Sequence, residues 1–316
     1  MNKLKTLLKN ISPLNDRSEM PVILYVIKVV IIFWFVKFGS EIICEALAIA
    51  LHFACGKNPL QGEVFDQKTI TLITYFGYGF MILLAILYWK VIRKKSVKEL
   101  GFTKKAGTYP VGALTGAILV ITSVIITVIT GTITYNGILL GIDRVYILLI
   151  MGAFICQGAM EEVLCRGIVL QLLKSRTSIP VAAGVSTVLF ILPHLGSLSG
   201  EKTGIIFFSV VNLILISLVF TFLTVRFKSI WAACGLHSAW NFILYNIFGL
   251  NLSGNDEMTA AVFDMRSVGS NVINGGSYGM EASVVTTAVL TAFLLLCYVI
   301  MCRERNSWKA GDDHGV

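Results

Sequence analysis

Charge is scarce in this chain. Only 14% of its 316 residues are charged, where soluble domains carry about 25%. With 56% hydrophobic residues and a mean hydropathy of +0.79, that shortage excludes an ordinary soluble domain. It reads as a polytopic membrane protein, since about 20 apolar residues make one span. Other features are missing too. The start has no short apolar stretch ending in an A-x-A-like site, so no removable signal peptide is expected. The seven cysteines (Cys44, Cys55, Cys156, Cys165, Cys234, Cys297 and Cys302) form no C-x-x-C pair, and most lie in apolar runs. They read as small core residues, not as a disulfide or zinc framework. No internal repeat, low-complexity tract or domain-parting linker is present. The net charge of +8 would suggest nucleic acid in a soluble protein. Here it reads as lysines and arginines held on the cytoplasmic side, and no nucleic-acid partner is expected.

What the chain does have is long apolar runs. Eight spans are expected, at roughly 21–53, 69–89, 109–131, 145–173, 180–194, 204–225, 230–248 and 284–302, and in lipid each must be a helix. The fold class is therefore all-α, with a basic segment at 1–20, a polytopic domain at 21–302 and a tail at 303–316. Basic residues gather in every second connection. They are Lys3, Lys5, Lys9 and Arg17, then the loop "KVIRKKSVKELGFTKK", then Lys174 and Arg176, Arg226 and Lys228, and Arg303, Arg305 and Lys309. This alternation predicts both termini in the cytoplasm. The last outer loop, 249–283, agrees, with Asp256, Glu257, Asp264 and Glu281 against Arg266 alone.

Some ionisable residues lie where apolar ones belong. Each costs about 2.5–3.5 kcal/mol on insertion and usually marks function. The first span carries Lys28, and also Lys37, Glu41 and Glu45 spaced by four, which share a face and can pair. The fourth carries "GAMEEVLCRG", with Glu161, Glu162 and Arg166. The fifth ends in "FILPH" with His194, and the seventh holds "LHSAWN" with His237 and Asn241. The other two of the four histidines, His52 and His314, sit near a span end and in the tail. At about 1.5 Å rise per residue, Glu161, His194 and His237 can all reach one level in the bilayer.

Helical spacing sorts the two acids. Glu162 and Arg166 are four apart and can pair. Glu161 points about 100° away, on the face of Gln157 and Cys165. An unpaired carboxylate in a low-dielectric cavity suits a general base. His237 and Asn241, also four apart, offer two donors of the kind an oxyanion hole needs. Bland readings stand beside these. Glu162 with Arg166 is a structural pair; His194 next to Pro193 caps a helix end; His237 with Asn241 is interhelical glue; Cys165 is inert packing. Their joint occurrence at compatible depth favours one shared site.

"EEVLCR", "FILPH" and "HSAWN" fit E-E-x-x-x-R, F-x-x-x-H and H-x-x-x-N, in that order and on separate helices. The chain thereby resembles the CPBP family, which holds the Rce-type CAAX prenyl proteases and the bacterial Abi proteins. The motifs fall at about 145–250. The resemblance implies an intramembrane glutamic endopeptidase. Glu161 would be the catalytic carboxylate, aided by His194 in activating water. His237 and Asn241 would stabilise the oxyanion, and Glu162 and Arg166 would support the site. It implies no cofactor and a membrane-associated or prenylated hydrophobic peptide as substrate, while the short loops and lack of extra domains point to a bacterial cell membrane as location. Pro193 is expected to kink the helix beside His194. The alternatives are a zinc-dependent version using Glu161, His194 and His237, or a non-proteolytic transporter or scaffold, such as one for bacteriocin immunity. The Lys37–Glu41–Glu45 stripe is the transporter's best support, and the lack of repeated halves argues against it.

Overall fold

The computed structural model describes residues 2–255 and 260–312. The expected outer-loop acids Asp256 and Glu257, and His314, lie outside the described residues, as do the side chains of Lys3, Arg305 and Lys309. The chain runs through α1 (Asn2–Ile11), α2 (Val22–Ala54), α3 (Gln67–Val91), α4 (Thr108–Ile129), β1 (Ile133–Ile138) and α5 (Arg144–Glu162). A π-helical turn at Val163–Val169 joins α5 to α6 (Leu170–Lys174). There follow α7 (Ile179–Ile191), α8 (Thr203–Phe227), α9 (Trp231–Phe242), a second π turn at Ile243–Ile247, β2 (Phe263–Ser267) and α10 (Val284–Asp312).

Seven helices among the described residues are long and apolar enough to cross a membrane. That is one fewer than the eight expected. The missing one is 230–248. It forms α9 and its π turn, but it is short, and Ala232, Ala233, Cys234 and Leu236 are fully buried. A helix enclosed on all sides by protein does not have to match the lipid thickness. The other helices turn large apolar side chains outward, Ile42, Leu83, Leu114, Leu148, Val188 and Phe207 among them. A soluble monomer would not expose such a belt.

Two sets of loops segregate to opposite ends. At one end Tyr88 Oη and the Arg93 guanidinium donate to the carbonyls of Pro13 and Asn15. Arg176 donates to the carbonyls of Ser18 and Met20, Lys105 to that of Phe227, and Arg226 pairs with Glu304. Ser229 and Trp231 reach Gly101 and Thr103. This end gathers the basic connections. At the other end β1 pairs antiparallel with β2. Lys68 pairs with Asp143, Glu201 accepts from Ser277 and Lys202 donates to the Ser270 carbonyl. Because α9 starts at the first end and Asn246 bonds to Ala260 at the second, the short helix also links the two.

Close backbone approach holds α9 in place. A Cβ on Gly112 of α4 would lie 1.8 Å from the Ala232 carbonyl oxygen. One on Gly116 would lie 2.5 Å from that of Leu236, and one on Gly235 2.1 Å from that of Tyr109. Small residues permit such contact between membrane helices. In α2, Lys37 pairs with Glu41 as the spacing predicts, while Glu45 is exposed. Lys28 is buried and donates to the Asn15 side chain and the Arg17 carbonyl.

Candidate active site

The two acids face different surroundings, as their 100° offset requires. The Glu162 side chain is 0% exposed and Glu161 is 21% exposed. Glu162 Oε1 takes an Arg166 N–H at 3.1 Å and lies 3.2 Å from His237 Nδ1. Arg166 also donates to the Ser217 carbonyl and hydroxyl on α8, at 3.1 and 2.6 Å. Its guanidinium sits between the rings of Phe190 and Phe220, 4.7 and 5.0 Å from their centroids. The Phe220 ring also stacks on His237, centroids 4.8 Å apart. Charge pairing and flat ring packing thus fix the His237 imidazole together.

Glu161 opens onto a cavity of about 220 Å³ that His194, His237, Asn241, Asn212 and Glu281 also line. Its Oε1 accepts from Gln157 Nε2 at 2.9 Å, and Gln157 Oε1 accepts from Asn241 Nδ2 at 2.8 Å. A carboxylate only accepts. It therefore forces Gln157 to turn its nitrogen to Glu161 and its oxygen to Asn241. The second N–H of Asn241 is not used in that chain. Glu161 Oε2 is buried and has no hydrogen-bond partner. It lies 3.9 Å from His194 Nε2 and 3.9 Å from His237 Nε2.

Both tautomers follow from the partners. His194 Nδ1 is 2.8 Å from the Phe190 carbonyl, which can only accept, so Nδ1 carries the proton. His237 Nδ1 faces a carboxylate and carries a proton for the same reason. Both Nε2 atoms are thus turned toward Glu161 Oε2. At 3.9 Å neither is in direct hydrogen bond. One water suffices to bridge such gaps.

Local backbone explains the convergence. Proline lacks an N–H and ends α7 before His194. Residues Leu192–Leu198 continue as a 3₁₀ helix, which carries His194. Pro193 thus lies where the α-helical ladder gives way to the 3₁₀ one. Each π turn directly follows catalytic candidates, one after Glu161 and Glu162, the other after Asn241. Such turns favour functional sites because the slipped ladder re-aims nearby side chains. In the first turn Ser186 Oγ donates to the Cys165 carbonyl.

All six residues named from the motifs meet here: Glu161, Glu162, Arg166, His194, His237 and Asn241. The motifs leave out Gln157, which ties Asn241 to Glu161, and the Phe190–Phe220 clamp. They also leave out Glu281, which enters from the loop before α10 and accepts from the Ser253 N–H and hydroxyl at 2.7 and 2.6 Å. Burial holds its carboxyl above the ordinary carboxylate range. Only the F-x-x-x-H motif carried a hint, through Phe190. A lone glutamate in a polar loop carries none. Cys165 is buried in the π turn; it lines a second cavity together with Glu161 and His194, but its thiol makes no hydrogen bond to either histidine among the described residues.

The zinc alternative needs Glu161, His194 and His237 as ligands. Two ligands of a tetrahedral zinc, each about 2.0–2.1 Å from the metal, stand about 3.3 Å apart. The 3.9 Å separations are wider. Among the described residues no group of three His, Cys, Asp or Glu is placed to hold a metal ion.

Residues 143–243 match the family model described as type II CAAX prenyl endopeptidase Rce1-like. This stretch holds all three motifs and all six candidate residues. The match covers about a third of the chain, and this stretch is thus similar to a membrane protease family, in agreement with the CPBP/CAAX resemblance that the motifs carry. No curated protein matches the chain.

Proposed function

We propose, on the premise of that Rce1-like similarity, that the chain is an intramembrane endopeptidase whose nucleophile is a water activated by Glu161. The observation that carries this reading is the partnerless Glu161 Oε2, facing two Nε2 atoms at 3.9 Å. Two acceptors, Glu161 Oε2 and His194 Nε2, converging on one point call for a shared donor. A water from the cavity fits there, donating to Glu161 and held by His194.

In the forward step the water's O–H bond breaks, its proton goes to Glu161 Oε2, and its oxygen bonds to the scissile carbonyl carbon. The carbonyl oxygen becomes an oxyanion against His237 and Asn241. Because Glu162 holds the Nδ1 proton of His237, Nε2 donates only when the ring is an imidazolium. The buried charges then balance, with Glu161 and Glu162 against Arg166 and His237. Each such donor is worth about 2.7–4 kcal/mol of barrier. The C–N bond then breaks, and Glu161 passes its proton to the leaving amine. Glu162 and Arg166 orient His237 and stay unreacted, and Gln157 holds Glu161 and Asn241 in register.

The substrate is a membrane-associated or prenylated hydrophobic peptide, matched by the apolar walls from Leu213, Ile216, Leu252 and Leu290. The zinc-dependent version is less favoured, given the ligand separations. The test is incubation of the purified protein in liposomes with a library of membrane-anchored peptides. Cleavage by the parent that disappears in Glu161→Ala supports the reading. A parent that cuts nothing, or a Glu161→Ala protein that still cuts, removes it.

A further inference from the structure

The active-site cavity shares no lining residue with a cavity of about 530 Å³ that lies among the basic connections. The mouth of the active-site cavity is formed by Leu252, Ser253, Asn255 and Glu281 from the loop 249–283, with Asn212 from the first half of α8. Asn212 pins that loop, donating to the carbonyls of Glu281 and Ser283 at 2.9 and 2.8 Å. No residue of the basic connections lines it. The second cavity, of about 200 Å³, shares Glu161, Phe190 and His194, and it too has no lining residue from those connections.

Below Glu161 and His237 the packing is dry. Ile168, Val169, Ala232, Ala233, Cys234 and Leu236 are fully buried. The glycine contacts of α4 with α9 leave no room for a channel there. The linings that meet at Glu161 thus run to the end that carries β1, β2 and the loop 249–283, and to the flank of α2, where Phe33, Lys37 and Glu41 line the second cavity, but not to the basic end. The basic connections gather at the opposite end, and short basic loops stay in the cytoplasm.

Deepening the protease reading, and resting on it for the chemistry, we propose that the active site is loaded from the extracytoplasmic face. The substrate class is then an exported polypeptide held by a membrane anchor, with its scissile bond on the outer side. A cytoplasmic C-terminal tail would meet the sealed end. Both termini of this chain lie in the cytoplasm on this assignment.

The test uses thiol labelling in intact cells with a membrane-impermeant maleimide, read by peptide mapping. Native Cys55 is exposed and follows α2 at the mouth end, so the unmodified chain already reports its orientation. Ser253→Cys, a near-isosteric change, reports the mouth, and Lys98→Cys reports the basic end. The expected result is labelling of Cys55 and of Ser253→Cys in intact cells, and of Lys98→Cys only after permeabilisation. The reverse pattern overturns the proposal. A second arm offers two anchored model substrates carrying one cleavable segment on opposite sides of the membrane. Cutting of the outer one alone, lost in Glu161→Gln, supports the proposal, and cutting of the inner one overturns it. If labelling is as expected and neither substrate is cut, sidedness stands and the protease reading falls.

Discussion

Replacing Glu162 with Gln separates folding from catalysis at a single atom. Glu162 Oε1 serves Arg166 and His237 at once, at 3.1 and 3.2 Å, in a place with no solvent access. Gln keeps the shape and removes the charge. Arg166 retains Ser217 and its two aromatic faces but loses its counter-ion. Breaking a buried pair from one side costs about 3–5 kcal/mol, against a total stability of about 5–15 kcal/mol. Folded yield should therefore fall but not vanish. Catalysis should fall further. The amide can offer its N–H to His237 Nδ1, which stabilises the wrong tautomer, and a comparable change in a serine protease costs about 10⁴ in kcat. Adding Arg166→Met removes the stranded cation. Removing both charges of a buried pair leaves no uncompensated ion, so yield should recover in part while turnover does not. The assay is detergent-stable yield together with kcat on a cleavable anchored peptide. A double variant that regains turnover would refute the claim that Glu162 orients His237.

Other expectations follow from the same geometry. Gly112→Ala sets a Cβ against the Ala232 backbone and should abolish folding or turnover, whereas Gly77→Ala, with open space around it, should leave thermal stability and activity near the parent's. Cys165→Ala should stay active, because this buried thiol, although it lines a cavity with Glu161 and His194, makes no hydrogen bond to either histidine; a folded but inactive variant would point to a thiol mechanism instead. Glu281 is held above the ordinary carboxylate range, so the folded state binds its proton more tightly than the unfolded chain. Stability should then fall as pH rises from that ordinary range through the raised one. Glu281→Gln should flatten that part of a melting-temperature profile, and an unchanged slope would contradict it.

Much of the arrangement was legible because membrane insertion penalises each polar residue separately. Apolar runs located the crossings, and the few ionisable groups left inside them had to meet. The 100° between neighbouring helical positions was enough to send Glu162 to Arg166 and Glu161 to the cavity. Pro193 announced the break that presents His194. The run at 230–248 looked like any other span, but its shortness depends on being enclosed by α4, α5 and α8, which hydropathy does not record. The two π turns depend on where a hydrogen-bond ladder slips, which no residue type specifies. Gln157 was placed on the correct face, yet its tie to Asn241 needs the distance between α5 and α9. Glu281 belongs to a polar loop, where acids are ordinary, and only folding brings it over the cavity. The β1–β2 pair joins connections more than a hundred residues apart, beyond the reach of any local pattern.

The central claim is that Glu161 activates water without a metal. The most direct measurement is turnover of an anchored peptide by exhaustively chelated protein whose metal content is known from elemental analysis, run beside equally folded Glu161→Gln. Full turnover is expected in the metal-free parent and none in the variant. Turnover that is lost on chelation, restored by zinc alone and accompanied by stoichiometric zinc would contradict it, as would a Glu161→Gln protein that still cleaves.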